Sequence, residues 1–235
     1  MDVKGHVLID SILEKDQFLI YTYKEDINIG IDVSHFYKTL KAIKKKDVLK
    51  LAIYNNDRLT VKYIPKDGGR EVCSELPIFP VQTIQFVPPD GYNNKPVILY
   101  SDQFQKMCKE LSSLSKNIVL TATQRSITFK VDTVYPVSQE FSVYDDYDYK
   151  DEGIHEKNEL YKATFSSNIL TKFMKISKFH SSIQIYAQKD LPLLLNIPVD
   201  NLGYIKVYIK SNELIKSEED MENDPDQGEN TYTVL

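Results

Sequence analysis

The sequence is poor in the residues that catalysis and metal binding usually require. Its two cysteines, Cys73 and Cys108, stand in unlike contexts and match no metal or redox spacing, which indicates free thiols in a reducing compartment. The four histidines are dispersed, and the single Gly-Gly pair lies in the ordinary turn KDGGR rather than in a phosphate-binding loop. No apolar run is long enough for a signal peptide or a membrane span. These absences predict a soluble intracellular protein that is not an enzyme, contacts no membrane and uses no metal or cofactor.

Two segments keep an enzymatic alternative open. The run DDYDYKDE offers carboxylates for a cation, but it lacks the spacing and the glycine of a calcium loop, so we interpret it as a solvated acidic loop. The stretch PPDGYNNKPVILYSDQFQKMCKE is loosely similar to the Asp and Glu-x-Lys of a nuclease, with the local order Lys-Glu reversed. A metal-dependent nuclease would be recognised by magnesium-dependent degradation that mutation of the acids in 145–152 abolishes.

Arginine is also scarce, and the basic charge is carried almost wholly by lysine. The three arginines are Arg58, Arg70 and Arg125. Residues 212–235 hold eight acids and one lysine, and residues 140–159 hold eight acids and two lysines, so a formal net charge of −5 leaves +8 for the rest of the chain. An acidic chain with its charge segregated in this way can still present a basic surface.

Three segments share one arrangement of lysines and apolar residues. When they are aligned on Phe36, Phe104 and Leu170, a lysine lies two and five residues further on in each, and the anchors are 68 and 66 residues apart. Apolar residues recur at helical spacing, and a strand–turn–strand pattern follows each helix. Similarity at a fixed spacing indicates one supersecondary unit used several times. The lysines of these predicted helical stripes are Lys38, Lys41, Lys44, Lys106, Lys109, Lys172, Lys175 and Lys178.

The remaining segments connect or flank these units. The opening GHVLIDSILEKDQFLIYTYKEDINIGID predicts strands and turns, like the closing half of a unit whose helix we expect before Met1. The segment ELPIFPVQTIQFVPPDGYNNKP has five prolines and no helical period, which predicts a linker. The acidic C-terminal tail has few apolar residues, which predicts disorder.

Four stretches, in the right order, resemble proliferating cell nuclear antigen, the eukaryotic-type DNA sliding clamp family. They are MDVKGHVLI, VSHFYKTLKAI, SDQFQKMCKELSSLSKNIVLTATQRSITFKV and DLPLLLNIPVDNLGYIKVYI. Together with the repeat, they extend the resemblance over residues 1–211. It implies an α+β DNA-clamp fold with two similar domains per chain, antiparallel sheets outside, and helices lining a pseudo-sixfold ring of three subunits. Relative to that pattern, this chain lacks the first helix and its flanking strands.

The resemblance assigns domains to the chain and a role to the lysines. It implies an N-terminal clamp domain, an interdomain connector, a C-terminal clamp domain and an acidic disordered tail, at residues 1–77, 78–95, 96–211 and 212–235. The eight lysines would face the phosphates of duplex DNA in the central hole. Lysine is a mobile, hydrated point charge, whereas base reading favours arginine, asparagine or glutamine, so we expect binding without sequence specificity.

The resemblance further implies a groove that binds short peptides of polymerases, ligases and nucleases through one aliphatic and two aromatic anchors. Phe86 and Pro88 replace the family's usual aliphatic residues, and Lys210 and Ser211 replace a small, proline-containing pair. Carried over by position, the groove residues are Met1, His6, Val7, Ile9, Phe86, Pro88, Pro89, Pro192 and Tyr208.

Subunits would join through edge strands near 69–79 and 137–144. Gln124 stands where family members carry a lysine that ubiquitin-like proteins modify. We therefore predict a non-enzymatic processivity factor, a homotrimeric clamp in DNA replication and repair, in the nucleus or in a viral replication compartment. Its partners would be duplex DNA, DNA polymerase, other proteins with clamp-binding peptides and a clamp loader. The alternatives are one subunit of a hetero-ring, a monomeric clamp-like subunit that holds DNA by charge, and a peptide-binding scaffold without a DNA role.

Overall fold

The computed structural model describes residues 5–54, 57–81, 89–123, 126–142 and 160–222. These residues pack into two compact units. The large unit contains the described residues of Met1–Tyr21 and Val87–Leu235, and the small unit contains those of Thr22–Phe86. The boundaries expected from the resemblance, at 77/78 and 95/96, stay predictions. No helix in the described ranges has the length and apolar character needed to cross a membrane.

The described chain contains three copies of one strand–helix–strand–strand–strand repeat, which confirms the predicted internal repeat. A single strand, β1 (Val7–Leu13), precedes them, and a helix, α4 (Asn212–Glu222), follows them. The first repeat comprises β2 (Ile29–Ile31), α1 (Val33–Lys41), β3 (Val48–Tyr54), β4 (Arg58–Ile64) and β5 (Val72–Pro80). The second comprises β6 (Val97–Tyr100), α2 (Ser101–Leu114), β7 (Asn117–Ala122), β8 (Ser126–Val131) and β9 (Val137–Ser142). The third comprises β10 (Tyr161–Ser166), α3 (Ser167–Lys172), β11 (Ser182–Tyr186), β12 (Leu193–Val199) and β13 (Gly203–Ile209).

In the large unit, the second and third repeats exchange their first strands. The two antiparallel sheets have the orders β1-β13-β12-β11-β6 and β10-β7-β8-β9. Strand β6 of the second repeat thus completes the sheet of the third, with Tyr100 opposite Ser182. Strand β10 of the third repeat completes the sheet of the second, with Ser166 opposite Asn117. Neither sheet is therefore built from one repeat alone.

Helices α2 and α3 pack against each other and against these strands. The apolar positions of α2 recur at steps of three and four, so they form one face that is almost fully buried: Phe104, Met107, Cys108 and Leu111. The strands alternate in the same sense, and their inward residues complete a single core that includes Ile118, Leu120, Phe129, Phe165, Ile185 and Val207. This core holds the α2–α3 helix layer at a fixed place on the sheets.

The small unit contains one repeat, with the strand order β2-β5-β4-β3 and α1 packed on β5. Leu59 and Val61 are buried, but no residue of α1 is. Leu51 lies opposite Val61 and so faces the same side of the sheet, yet it is 46% exposed. The small unit therefore has a much thinner core than the large one.

Helix α4 corrects the prediction of a disordered tail from residue 212. Ser211 caps it, because the Leu214 N–H donates to the Ser211 hydroxyl at 3.2 Å. Both carboxylate oxygens of Glu213 accept from the Thr164 N–H on β10, at 3.1 and 2.9 Å. The Lys210 ammonium contacts Glu218 at 2.7 Å. These anchors to ordered strands offset the acidic composition as far as Glu222; residues 223–235 lie outside the described ranges.

Candidate nucleic-acid interface and peptide groove

Helix α1 begins at a strong cap and presents two of the predicted lysines. The Asp32 carboxylate accepts from the N–H groups of Ser34 and His35 at 2.8 and 3.0 Å, and its second oxygen lies 2.8 Å from the His35 ring. The hydrogen bond with His35 lowers the pKa of Asp32 below its ordinary value. Lys38 and Lys41 are exposed on this helix.

The prediction that Lys44 continues this helical stripe is wrong. Helix α1 ends at Lys41, and Ala42 is its C-cap. Lys44 lies in the following turn, where its N–H donates to Asp47 at 2.9 Å. The Asp47 carboxylate stabilises the turn because it satisfies a backbone donor that helix propagation would otherwise use. Lys44 is exposed nevertheless.

Helix α2 carries Lys106 and Lys109 on its exposed side, as the lysine spacing predicted. The buried face described above fixes the orientation of this helix about its axis, so the side chains of Lys106 and Lys109 point away from the core. The pattern of apolar and basic residues on α2 is therefore a reliable indicator of which side faces outward.

The third lysine segment is not one continuous α-helix. Helix α3 ends at Lys172, because Phe173 has φ −92° and ψ 0°, and a 3₁₀ helix follows over Met174–Lys178. A 3₁₀ helix has three residues per turn, so lysines at steps of three fall in line along it. Lys172, Lys175 and Lys178 are all exposed. The basic stripe persists, with a change of helix type in its middle.

The structure brings five of the eight lysines onto neighbouring segments. Lys106 and Lys109 are on α2, which packs against both α3 and the 3₁₀ helix that carry the other three. Lys38, Lys41 and Lys44 belong to the small unit. None of the eight forms an ion pair with a residue that the structure describes. Their charge is therefore available to an external anion.

The predicted groove residues Pro192 and Tyr208 are linked through a residue that the sequence did not single out, Tyr92. The Tyr92 hydroxyl donates to the Pro192 carbonyl at 2.7 Å. Its ring centroid lies 6.4 Å from that of Tyr208 and 6.0 Å from that of Tyr186. Burial raises the pKa of Tyr92 and of Tyr208 above the ordinary value, so both hydroxyls stay protonated donors at neutral pH.

Tyr208 lies on the face of the five-stranded sheet that points away from the core. Its neighbours in β13, Val207 and Ile209, are core residues, and successive residues of a strand point to opposite faces. Leu194 on β12 lies directly opposite Tyr208. We call this side of the sheet the outer face.

Pairing with β13 fixes the face on which each residue of β1 lies. Leu8 lies opposite Tyr208, so Leu8 shares the outer face, whereas Val7 packs against the core. Ile9 lies opposite Val207 and is therefore on the same side of the sheet as the core. Its side chain is nevertheless 54% exposed. Val7 and Ile9 therefore lie on the opposite face from Tyr208, because alternation fixes the face of each side chain, and their place in the groove stays a prediction.

The other predicted groove residues are only partly described. The His6 carbonyl accepts from the Lys210 N–H at 3.0 Å, and Pro89 is half-buried. Met1, Phe86 and Pro88, as well as Gln124, lie outside the described residues. The end of the connector is fixed to the β11–β12 turn: Gln188 donates to the Gly91 carbonyl at 2.8 Å and accepts from the Asn93 N–H at 2.9 Å.

The two spans predicted to join subunits lie on strands at or near sheet edges. Strand β9 (Val137–Ser142) ends its sheet, and no described strand pairs with its outer side. Strand β5 (Val72–Pro80) pairs with β4 along most of its length and with β2 only at Ile78–Pro80. Tyr144, at the end of the predicted second span, lies outside the described residues.

Chemically, the described residues offer binding surfaces. No group of three or more His, Cys, Asp and Glu residues is placed to hold a metal ion within the described ranges. His35 is engaged with Asp32, and the His180 ring accepts from the Ser182 N–H at 3.1 Å. What the geometry provides is an exposed basic helix layer, an apolar outer-face site and open strand edges.

Comparisons with known proteins agree with this architecture. The family model described as proliferating cell nuclear antigen, C-terminal domain, matches residues 88–212, more than half of the chain. Those residues span the second and third repeats. The chain is also 21% identical over 208 residues to the "Probable DNA polymerase sliding clamp 1" of Paramecium bursaria Chlorella virus 1, which covers 86% of this chain and 78% of that protein. The chain therefore belongs to the proliferating cell nuclear antigen family.

Proposed function

We propose that this protein is a DNA sliding clamp, a processivity factor that encircles duplex DNA without sequence specificity and tethers replication and repair enzymes. It acts as a scaffold and carries out no chemical reaction. The observation that carries the proposal is the repeated unit whose helices pack on the sheets and expose lysines, in a chain of this family. A viral relative that is named as a DNA polymerase sliding clamp supports the same function.

The lysine surface suits sliding contact with phosphates. Lysines that neutralise phosphates release condensed counterions, which gives affinity that does not depend on base sequence. No arginine lies on α1, α2 or α3, and Arg58 is directed to Glu75 at 3.7 Å, so the fork that reads guanine is absent from these helices. Weak, mobile contacts then suffice, because a closed ring retains DNA topologically.

The pairing of β1 with β13 suggests how subunits join. Strand β13 is the last strand of its repeat and pairs along its whole length with β1, a strand from outside that repeat. Strands β5 and β9 are the last strands of the first and second repeats. A β5–β9 pairing between neighbouring subunits would repeat this arrangement and cover both edges, and it is the head-to-tail contact that the proposed homotrimeric ring requires.

A clamp of this kind would need a loader, client proteins and a replication compartment in which to act. Loading a closed ring onto DNA requires a clamp loader, and the outer-face site around Tyr208 would receive the peptides of DNA polymerase and other clients. The protein would act in the nucleus, or in a viral replication compartment, the context that the viral relative favours.

Charge reversal with a matched control tests the DNA contact. We expect the fourfold variant Lys106→Glu, Lys109→Glu, Lys172→Glu, Lys175→Glu to lose most of its affinity for a linear duplex, on which a ring gives no topological retention. The slope of log K against log salt should fall by about 3 to 4, because each phosphate contact contributes roughly 0.9. The control reverses four exposed loop lysines, Lys24, Lys66, Lys95 and Lys189, and so changes the net charge equally. Equal losses in both variants would contradict the proposal.

Sedimentation equilibrium tests the assembly. A mass three times that of the 27.2 kDa chain supports the homotrimer. A monomeric protein that still increases the length of the polymerase's products would instead identify a subunit that holds DNA by charge alone. A mass that rises only when a second clamp-like chain is added would identify a hetero-ring.

A further inference from the structure

The outer face of the five-stranded sheet carries an apolar row that is already covered. Tyr186, Leu194 and Tyr208 lie side by side on β11, β12 and β13, because Leu194 is opposite both of the tyrosines. Leu8 extends the row on β1. Although the row faces away from the core, Tyr208 is only 4% exposed and Leu194 only 6%. A group on the outer side must therefore cover them.

Tyr92 lies against this row on its outer side. Its ring centroid is 6.0 Å from that of Tyr186 and 6.4 Å from that of Tyr208, the two tyrosines that flank Leu194. Its hydroxyl is held by the Pro192 carbonyl at 2.7 Å. A side chain that packs against Tyr186 and Tyr208 from this side would therefore compete with the Tyr92 ring for the same contacts.

The backbone around Tyr92 can hold the ring against the outer face and can also release it. Residues on its C-terminal side are attached to the β11–β12 turn: Asn93 N–H donates to Gln188, and the Asn94 side chain donates to the Ala187 carbonyl at 3.3 Å. On its N-terminal side, Gly91 has φ +95°, a conformation that glycine adopts without strain, and nothing lies within 4 Å of where its Cβ would be. The Gly91 carbonyl also accepts from the Gln188 side chain at 2.8 Å, so Gly91 is suited to act as a hinge once that hydrogen bond is broken.

We propose that Tyr92 is a built-in occupant of the peptide site, which a client must displace with an aromatic side chain of its own. This proposal rests on the proposed function, since it concerns how the clamp receives its clients. Because the Pro192 carbonyl loses its donor when Tyr92 leaves, the displacing residue is best a tyrosine, whose hydroxyl can replace that hydrogen bond. A phenylalanine would leave the carbonyl without it.

Fluorescence anisotropy with two labelled peptides tests this displacement. The peptides carry one leucine and an adjacent aromatic pair, either Tyr-Tyr or Phe-Phe, and are identical otherwise. We expect Tyr92→Ala to bind the Tyr-Tyr peptide on the order of ten-fold more tightly than the unmodified protein, because no ring has to be expelled. We also expect this variant to prefer Tyr-Tyr over Phe-Phe by about five-fold, the value of one hydrogen bond.

Two further variants keep the result interpretable. Tyr92→Phe retains the ring and loses only the bond to Pro192, so its affinity should rise by about two- to five-fold. Tyr135→Ala removes a tyrosine that is 82% exposed between β8 and β9, on the other sheet, and should leave affinity unchanged. Weaker or unchanged binding in Tyr92→Ala would make Tyr92 a wall of the site and overturn the proposal. Failure of every variant to bind either peptide would overturn it as well.

The outcome is separable from that of the proposed function. Peptide binding is measured without DNA, and the affinity for a linear duplex depends on the lysine surface rather than on Tyr92. If Tyr92→Ala gains no affinity for the peptides but still binds DNA, only the inference about Tyr92 is contradicted. A loss of DNA affinity that is confined to the lysine variants bears on the clamp function and not on this site.

Discussion

The large and small units contain the same repeat but enclose very different cores. In the large unit, two repeats exchange strands and their helices pack together, and Phe104 on α2 is 1% exposed. In the small unit, a single repeat is present and no residue of α1 is buried. The amphipathic patterns are alike, so the difference comes from pairing. One repeat positions its apolar face, and a second repeat is required to seal it.

The reactivity of the two thiols should show the largest contrast between the units. Cys108 in the large unit is buried, and burial raises its pKa to about 12, whereas Cys73 in the small unit is exposed. Since the thiolate is the reactive form, we expect Cys108 to react on the order of 10³-fold or more slowly than an ordinary thiol. Absorbance during labelling with a disulfide reagent gives both rates. Cys73→Ser should remove the fast phase alone, and equal rates in native buffer would contradict the contrast.

Truncation of equivalent helix residues should separate the units energetically. Phe104→Ala removes a fully buried ring and should destabilise the large unit by about 3–5 kcal/mol. Phe36→Ala on α1 truncates a half-buried ring and should cost about 1 kcal/mol. Urea unfolding, followed by exposure of Cys108, measures the first effect. Similar losses for both variants would mean that the small unit is sealed by contacts beyond those described.

A pair of glycine substitutions tests close packing against backbone strain. Gly203 has φ +143°, and a Cβ there would clash with the Ile12 carbonyl of β1. Gly203→Ala should therefore cost more than the strain alone, about 1–3 kcal/mol, and should loosen the β1–β13 pairing. Gly68 in the small unit has φ +77° with open space around it, so Gly68→Ala supplies strain without the clash. Amide exchange of β1 residues measures the difference; equal protection in both variants would contradict it.

The pH dependence of α1 should be the smallest effect. The folded-state pKa of Asp32 is depressed, chiefly by the hydrogen bond with His35. A depressed acid stabilises the folded form above its unfolded pKa, near 3.8, and that contribution is lost as the pH falls through the folded value. Chemical shifts of α1 between pH 6 and pH 2 should therefore report fraying at the acidic end. Asp32→Ala should remove this transition, and its persistence would assign it to another group.

Much of the fold followed from periodicity. The three helices and the strand pairs after them are confirmed, because apolar spacing reflects which side of an element faces inward. The α+β class, which the family resemblance implied, is confirmed as well. Helix ends did not follow, since the stop at Lys41 and the change to a 3₁₀ helix at Phe173 depend on local turn geometry. The strand exchange could not be predicted either, because it pairs residues far apart in sequence.

The candidate site was predicted less well than the fold. Lysine exposure followed from the helical pattern, and its role in DNA binding stays a prediction. The place of Val7 and Ile9 in the groove stays a prediction, because the residues HVLI leave the alternation undecided until the pairing with β13 fixes it. Tyr92 stood in a proline-rich segment without periodicity, so its contact with Pro192, 100 residues away, was invisible. The capping of α4 by Ser211 was outweighed by the acidic composition around it.

The strand exchange has a consequence for how the polypeptide is made. Strand β6 leaves the ribosome long before β11, its partner, since Val97 pairs with Ile185. The sheet of the second repeat must in turn wait for β10 to emerge. Both sheets therefore remain incomplete, with unpaired strand edges, until the strands of the third repeat have been synthesised. Translation speed through that last third of the message sets how long the newborn chain is vulnerable to aggregation.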